Sequence, residues 1–185
     1  MTTETKFKLA LKEMMLTTPL EDINVTALCK KCDCHRQTFY YHYQDLYDLI
    51  AAIFLNEDLD ELERAKTVES SLESFLMYVK DNFKFLKATY NSAAHDLPDD
   101  FIFSKLTTKI FKLLSADKKN LGIKLGGCRT AARRFARIIS DEYSFIFKDG
   151  DMSTNKLVKE MTKFSSLAVD ILLPSIINMS KEAEK

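Results

Sequence analysis

The sequence contains little glycine or proline and carries no net charge. Its 185 residues include four glycines and three prolines, and 27 basic side chains balance 27 acidic ones. Because few residues interrupt helices and apolar residues recur at helical spacing nearly throughout, we predict an all-α protein. Because the chain has no excess of positive charge, a histone-like protein that binds nucleic acid without sequence specificity is not expected. A small basic patch on a neutral protein is still compatible with sequence-specific binding.

Targeting segments and catalytic motifs are missing as well. No apolar run approaches the roughly 20 residues of a membrane span, and the N-terminal residues MTTETKFK do not resemble a signal peptide. We therefore expect a soluble, cytoplasmic protein with no membrane partner. The sequence has no glycine-rich phosphate loop, no G-x-S-x-G and no H-E-x-x-H motif. The adjacent His95 and Asp96 fit a surface or pocket better than a catalytic pair, so we expect no enzymatic activity and no cofactor.

The stretch from residue 24 to residue 48 predicts two short helices joined by a tight turn. Asn24 can cap the first helix with its side-chain oxygen. Apolar residues of that helix then recur at i, i+3, i+4 and i+7, namely Val25, Leu28, Cys29 and Cys32. The turn lies at Asp33, and His35 begins the second helix, with its side chain as a candidate cap. Phe39 is the predicted inward anchor of the second helix.

The outward side chains of the second helix are not the Glu and Lys typical of a solvated face. A short helix, a turn and a second helix with polar and aromatic residues near its N-terminus form the helix-turn-helix geometry that fits a DNA major groove. The predicted DNA-binding residues of the two helices are Thr26, Lys30, Arg36, Gln37, Thr38, Tyr40, Tyr41 and His42. Arg36 can bond guanine edges or a phosphate, and Gln37 suits adenine. For Tyr41 the alternative is partial burial beneath the first helix.

The segment HRQTFYYHYQDLYDL resembles the recognition-helix signature of the tetracycline-repressor (TetR) family, S-R-G-T-[FL]-Y-x-[HY]-F followed by a polar turn and a long helix. The resemblance covers about the first fifty residues. Four positions depart from the family pattern, and they are Asp33 for Gly, His35 for Ser, Gln37 for Gly and Leu46 for a phosphate-binding Lys. The resemblance implies that Thr38, Tyr40 and His42 contact phosphates, which sets the register of binding without reading sequence.

The resemblance also implies a domain organisation. A three-helix helix-turn-helix head (residues 1–46) would be joined by a connector helix to a helical regulatory and dimerisation body (residues 47–185). The apolar pattern predicts a first helix that ends before Thr17 and a connector from residue 46 to about residue 64. Further helices are predicted over 72–91, 101–114, 130–147 and 153–172, with a break at 95–100 and a loop at 115–127. Ser153 is the predicted cap of the last helix, which should end before Pro174.

The last two predicted helices have apolar faces too wide for one small body to cover. An ordinary core is one explanation, and a homodimer joined through a four-helix bundle, as the resemblance implies, is the other. A two-fold dimer would read the two half-sites of a palindromic operator. The predicted interface residues are Ile138, Ile139, Phe164, Leu167 and Ile171.

The predicted body is also rich in Phe and Tyr. Aromatic residues at helical spacing fit an ordinary core, but the resemblance implies a cavity whose occupant shifts the separation of the two heads. The occupant would be a small, largely apolar or aromatic effector. The candidate pocket residues are Phe75, Tyr78, His95, Phe103, Arg134, Phe135 and Tyr143. The segment HRQTFYYHY is also similar to a subgroup that includes regulators of dihydroxyacetone kinase operons, some of which activate together with a partner protein, so repression and activation both stay open.

Three of the four cysteines lie beside the predicted turn. With His35 they form C-x2-C-x-C-H, a pattern that could indicate zinc or redox chemistry. Closed structural zinc sites draw ligand pairs from two separated segments, whereas these residues lie within one short stretch. Small buried apolar side chains explain them, so we predict no metal. Two alternatives to a ligand-responsive DNA-binding protein remain, namely an interaction protein controlled by a partner protein and a thiol-switched regulator.

Overall fold

A computed structural model describes residues 1–149 and 152–182, with only the backbone of Glu182. Over these ranges the chain is helical and contains no β-strand, which confirms the predicted all-α class. The helices are α1 (Thr3–Met15), α2 (Val25–Lys31), α3 (Arg36–His42), α4 (Leu46–Leu55), α5 (Asp60–Arg64), α6 (Val68–Asp81), α7 (Phe83–Tyr90), α8 (Asp96–Ala116), α9 (Lys118–Leu121), α10 (Leu125–Lys148), α11 (Thr154–Leu167) and α12 (Leu173–Glu182). Within the described ranges, no helix has both the length and the apolar character to cross a membrane.

The chain divides into two compact units. The first contains Met1–Asp58 and Asn82–Pro98, and the second contains Leu59–Asp81 and the described part of Asp99–Lys185. This division differs from the predicted boundary between residues 46 and 47, because α4 and α7 pack with α1 in the first unit. The rings of Phe54 and Phe85 lie 5.8 Å apart, and the Lys12 ammonium lies 5.4 Å from the Phe85 ring.

The core of the first unit is built around three aromatic rings. Phe7 of α1 meets Phe39 of α3 edge-on, with 5.3 Å between the ring centroids. Tyr43 lies 6.2 Å from Phe7 and 5.7 Å from Phe39. Phe7 and Phe39 are fully buried, and each such ring contributes roughly 1.5–3 kcal/mol by leaving water. Phe39 is therefore the inward anchor that the sequence predicted.

The core of the second unit is organised by α10, whose apolar face is almost completely covered. Tyr143, Phe135 and Phe147 of this helix are fully buried. The ring of Tyr143 packs 5.8 Å from that of Phe75 in α6, and Phe75 in turn lies 6.2 Å from Phe101 in α8. Burial raises the pKa of Tyr143 well above its ordinary value, so its hydroxyl stays protonated throughout the physiological range.

Two predicted helices end earlier than expected, and in both cases an asparagine lies at the break. The connector ends at Leu55 rather than near Arg64, and the Asn56 amide donates to the Ala52 carbonyl at 2.8 Å. The predicted helix over 72–91 is two helices that meet at Asn82. Asparagine side chains compete for nearby backbone groups and therefore favour helix ends over helix interiors. Both predictions of a continuous helix are wrong for this reason.

The predicted break at 95–100 and loop at 115–127 are mostly helical. Helix α8 begins at Asp96 and carries Pro98 in its first turn, where the missing N–H costs no hydrogen bond. It continues to Ala116, and α9 follows until Gly122, whose φ of 62° ends that helix. Helix α10 already begins at Leu125, five residues before the predicted start at Thr130.

The C-terminal helices confirm one cap and correct one end. Ser153 Oγ accepts from the Lys156 N–H at 3.3 Å, as predicted for the cap of α11. After Leu167 the chain passes through a π-helical segment, Ala168–Leu172, and continues as α12. The prediction that the helix ends before Pro174 is wrong. Wider π turns accommodate interruptions of the helical hydrogen bonds, and the π-helical segment lies directly before the helix that contains this proline.

Candidate nucleic-acid interface

The turn between α2 and α3 is held by local hydrogen bonds. The Asn24 side chain accepts from a backbone N–H of the first turn of α2 at 2.9 Å, as predicted. At the other end, the Asp33 N–H donates to the Lys30 carbonyl at 3.3 Å and the Cys34 N–H donates to the Cys29 carbonyl at 3.1 Å. Asp33 has a φ of 50°, so it adopts the left-handed conformation that the family pattern assigns to glycine. Asp tolerates this region better than most residues.

Helix α3 buries one face and exposes the other. Phe39 holds the inner face, while the outer face carries Arg36, Gln37, Tyr40 and Tyr41. Tyr40 is 50% exposed and Tyr41 is 85% exposed, so the alternative that Tyr41 is buried beneath α2 is wrong. Exposed aromatic rings with a polar tip, next to a guanidinium, can contact both base edges and phosphates.

Arg36 and Tyr40 interact along the exposed face of α3. The guanidinium Nη2 donates to the Tyr40 hydroxyl at 3.3 Å, and its central carbon lies 5.8 Å from the Tyr40 ring centroid. The two side chains are one helical turn apart and therefore lie side by side. The pair presents a positive charge and a hydroxyl at one place on the surface.

The remaining predicted residues divide between exposed and partly covered positions. Thr26 and Lys30 of α2 are exposed, and Thr38 is half-buried. His42 is half-buried too, and its Nδ1 lies 3.2 Å from a Glu4 carboxylate oxygen of α1. A phosphate contact by His42 would therefore compete with this carboxylate. His35 precedes α3 as its cap residue, but its side chain makes no capping hydrogen bond, so that option is wrong.

Tyr47 at the start of α4 is an exposed aromatic residue that the prediction omitted. Its hydroxyl donates to the Asp96 carboxylate at 2.7 Å. The signal was present in the sequence, because Tyr47 continues the aromatic run YYHYQDLY that contains the predicted contacts. Tyr47 lies just after α3 and widens the exposed aromatic surface of this unit.

The three cysteines beside the turn lie close to backbone carbonyl groups. Cys29 and Cys32 are buried and Cys34 is half-buried. Each thiol lies near a backbone carbonyl, of His35 for Cys29 at 3.9 Å and of Lys6 for Cys32 at 3.6 Å. Among the described residues, no group of three or more His, Cys, Asp or Glu side chains is arranged to hold a metal ion.

The predicted ligand-pocket residues lie in different surroundings. Phe75, Tyr78 and Tyr143 form an aromatic core cluster together with Phe101, which the prediction omitted. Phe135 is also fully buried in the core of the second unit. His95 is exposed and belongs to the first unit.

Phe103 and Arg134 do come together, in an open groove of about 560 Å³ in the second unit. The lining residues are Phe103, Arg133, Arg134, Arg137, Ile138, Ile176 and Met179. The Arg137 guanidinium stacks 4.0 Å from the centroid of the Phe103 ring and lies 3.8 Å from an Asp141 carboxylate oxygen. The groove therefore combines apolar walls with three cationic side chains.

The predicted dimer residues vary in exposure. Leu167 and Ile171 are 55% and 56% exposed, and Ile138 and Phe164 are half-buried. Ile139 is fully buried within the protomer and so cannot contact a second chain, because α10 turns this residue toward the core. Phe145 and Met179, which the prediction did not include, are more exposed than the predicted residues, at 74% and 58%. Their helical register alone did not show that neighbouring helices leave them uncovered.

No protein-family model and no curated protein sequence matches the chain, but the solved structures that share its fold include three regulators. The dihydroxyacetone kinase operon activator DhaS aligns with a TM-score of 0.63 and 19% identity, over 96% of this chain and 97% of DhaS. NalD, the secondary repressor of the MexAB-OprM multidrug efflux pump in Pseudomonas aeruginosa, aligns with a TM-score of 0.60 and 14% identity, over 90% and 95%. AlkX, a TetR family repressor from Dietzia sp. strain DQ12-45-1b implicated in n-alkane biodegradation, aligns with a TM-score of 0.54 and 16% identity, over 94% and 96%. The predicted TetR-type fold is thus confirmed over most of the chain.

Proposed function

We propose that this chain, which has the fold of the TetR-type regulators, is a transcriptional regulator that binds palindromic operator DNA as a homodimer. One observation carries the proposal, namely that α3 follows a helix-turn-helix turn and exposes Arg36, Gln37, Tyr40 and Tyr41 opposite its buried anchor Phe39. Exposed aromatic side chains do not stabilise a helix that faces only solvent. In a groove of DNA, each of these groups can make a contact.

The exposed residues of α3 have different roles in this proposal. Arg36 and Gln37 lie in its first turn, where a recognition helix contacts base edges, and they would read guanine and adenine. Tyr40 and Thr38 would contact phosphates and set the register. Tyr41 would pack against a thymine methyl group or bond the backbone. His42 would reach a phosphate only by leaving the Glu4 carboxylate, so we assign it the weakest contribution.

Dimerisation through the second unit is the second part of the proposal. Leu167 of α11 and Ile171 of the π-helical segment are more than half exposed. Phe145 and Met179 add exposed apolar area on α10 and α12. Apolar side chains of this size on long helices are typical of an interface between chains. A two-fold dimer then presents two copies of α3 to two half-sites.

Control by a small effector is the third part. The groove lined by Phe103, Arg134 and Ile138 has a volume typical of ligand sites. Its three arginines favour an anionic effector with an apolar or aromatic portion. A ligand that binds this groove better in one conformation would shift the equilibrium toward it and so alter DNA affinity. Control by a partner protein instead of a metabolite is the alternative.

The test is selection of a randomised duplex pool on the purified protein, together with its mass in solution. We expect enrichment of a palindrome that a dimer binds with a steep dependence on salt, because neutralised phosphates release counterions. A well-folded dimer that enriches no site would overturn DNA binding and favour a protein partner. A monomer that enriches a single half-site would overturn the dimer while leaving DNA recognition in place.

A further inference from the structure

The turn that ends α2 brings two cysteines together. Its hydrogen bonds from the Cys34 N–H to the Cys29 carbonyl (3.1 Å) and from the Asp33 N–H to the Lys30 carbonyl (3.3 Å) form a Schellman motif. In this motif the side chain in the last turn of the helix contacts the side chain of the second residue beyond the helix cap. These positions are commonly apolar, but here they are Cys29 and Cys34, and both carry a thiol.

Two contacts keep the sulfurs of Cys29 and Cys34 at the same turn. The Cys34 sulfur lies 3.7 Å from the Cys29 carbonyl oxygen, and the Cys29 sulfur lies 3.9 Å from the carbonyl oxygen of His35, the residue after Cys34. The Cys32 sulfur is directed elsewhere and lies 3.6 Å from the Lys6 carbonyl of α1. Cys29 is 2% exposed, whereas Cys34 is half-buried. One thiol is thus accessible to a small oxidant, and the buried thiol lies beside it.

We propose that Cys29 and Cys34 form a dithiol site that a hydroperoxide converts into a disulfide across the turn between α2 and α3. Disulfides require Cα atoms within about 7 Å and converging side chains, and the Schellman hydrogen bond already holds the two residues close. The effect on DNA affinity, which rests on the proposed function, follows from position. Arg36 begins α3 two residues after Cys34, so the cross-link changes how the start of α3 is held.

The reaction proceeds in two balanced steps. The Cys34 thiolate attacks one peroxide oxygen, so an S–O bond forms, the O–O bond breaks, and the departing alkoxide or hydroxide takes up a proton. The Cys29 thiolate then attacks the sulfenic sulfur, the S–S bond forms and the S–O bond breaks. The leaving hydroxide takes up a proton and departs as water. Sulfur is oxidised and the peroxide is reduced to an alcohol and water, or to two waters for hydrogen peroxide.

The electrostatics assign the order of the two thiols. Burial and the neighbouring Cys34 raise the pKa of Cys29 to about 11, with a further increase from Cys32 and an opposing effect of Arg36. Cys29 is therefore almost entirely protonated near neutral pH and is the second thiol to react. The closing step should consequently be slow at neutral pH and faster in alkaline buffer, because the thiolate is the nucleophile.

Trypsin separates the possible products. It cleaves after Lys12, Lys30, Lys31 and Arg36, so Cys29 falls in peptide 13–30 while Cys32 and Cys34 fall in peptide 32–36. The full chain is treated with hydrogen peroxide, remaining thiols are alkylated, and the digest is analysed by mass spectrometry without reduction. We expect peptides 13–30 and 32–36 to be linked, with one alkylated cysteine in 32–36 and loss of the link after dithiothreitol.

Matched variants complete the test. Cys34→Ser should abolish the linked peptide, whereas Cys32→Ala and Cys128→Ala should retain it. A peptide 32–36 that is two hydrogens lighter and unlinked would show a Cys32–Cys34 bond and overturn the proposal, as would alkylation of all four thiols after peroxide. On a selected duplex, we expect the oxidised protein to bind at least tenfold more weakly and to recover on reduction. A linked peptide with unchanged DNA affinity would overturn only the effect of the disulfide on DNA binding. If no duplex can be selected, the proposed function fails, and the linked peptide still tests the dithiol site.

Discussion

The two units of the molecule expose different kinds of apolar surface. Among the described residues, the exposed aromatic residues of the first unit are the tyrosines Tyr40, Tyr41 and Tyr47, and Tyr40 lies beside the guanidinium of Arg36. In the second unit, side chains with no polar tip, including Phe145 and Leu167, are exposed. A tyrosine can lay its ring against a surface and still hydrogen-bond at its tip, whereas Phe and Leu gain only by leaving water. The first surface therefore suits a charged, hydrated partner such as DNA, and the second suits another protein chain.

The units also differ in how their short elements are held. Helix α3, which carries Arg36, and the preceding α2 are each only seven residues long. Isolated helices of this length are not stable in water. They depend on the Asn24 cap, the Schellman turn and the buried ring of Phe39. The second unit instead uses the 24-residue α10 with a broad buried face, so single contacts there matter less for the position of any one helix.

The largest effect should come from removing the anchor of α3. Phe39→Ala should lower the free energy of unfolding by about 3–5 kcal/mol, because a fully buried ring is lost from the contact with Phe7. Tyr41→Ala, on the exposed side of the same helix, should change it by less than about 0.5 kcal/mol. Urea unfolding followed by circular dichroism measures both. Similar losses for the two variants would mean that α3 does not face the core as described.

Charge on the apolar surface of the second unit should weaken self-association. In a double variant, Leu167→Asp with Ile171→Asp, two exposed carboxylates would have to be buried against the partner, at a cost of roughly 2–4 kcal/mol in dimerisation free energy. Analytical ultracentrifugation over a dilution series should show a shift from dimer to monomer. Glu160→Asp, an exposed change on α11 that keeps the charge, is the control. A double variant that dimerises like the parent chain would place the interface elsewhere.

Recognition by the first unit should be sensitive to Arg36 without any loss of fold. Arg36→Ala should weaken binding to the selected duplex by about 1–3 kcal/mol, or roughly 5- to 160-fold, and leave the fold intact, because the guanidinium is exposed and contacts Tyr40 on the surface of α3. Fluorescence anisotropy at fixed salt measures the affinity. Arg64→Ala removes an exposed arginine of the second unit and should have little effect. Equal affinities for Arg36→Ala and the parent chain would remove Arg36 from the interface.

The same contrast explains which features the sequence could predict. The turn at Asp33 and the Asn24 cap depend on neighbours within a few residues, so their pattern was sufficient, and the apolar spacing of α3 indicated the inward Phe39 although Phe7 of α1 covers it. In the second unit, Ile138 and Ile139 are adjacent and chemically identical, yet only Ile139 is fully buried. That difference arises from which helices pack against α10, and helical spacing does not contain it. The helical setting of Pro174 is likewise not contained in the helical spacing, whereas the breaks at Asn56 and Asn82 lie at residues that favour helix ends.

The first unit holds its functional charge, Arg36, at the surface, whereas the second unit buries a charged side chain. The smallest expected effect concerns this buried charge. The Lys109 side chain is only 2% exposed, and its ammonium donates to the Glu63 backbone carbonyl at 2.7 Å. Burial lowers the pKa of Lys109 below its ordinary value of 10.5, although the nearby Glu63 carboxylate opposes this shift. In the folded chain the group therefore loses its proton at a lower pH than in the unfolded chain.

The sign of the pH dependence follows from proton binding. Between the lowered pKa and 10.5 the unfolded state binds more protons, so Lys109 makes the free energy of unfolding rise with pH in this window. At pH values below the lowered pKa, burial of the ammonium destabilises the folded state by its full amount. Above pH 10.5 this destabilisation is absent, because the amine is neutral in both states. Lys109→Met should lose this alkaline rise relative to the parent chain, in urea titrations between neutral pH and pH 10.5. Lys112→Met, which removes the exposed neighbour 3.5 Å from the Glu63 carboxylate, should keep most of the rise, because burial lowers the pKa of Lys109 more than the charge of Lys112 does. A parallel pH profile for Lys109→Met and the parent chain would mean that the ammonium is hydrated in the folded protein.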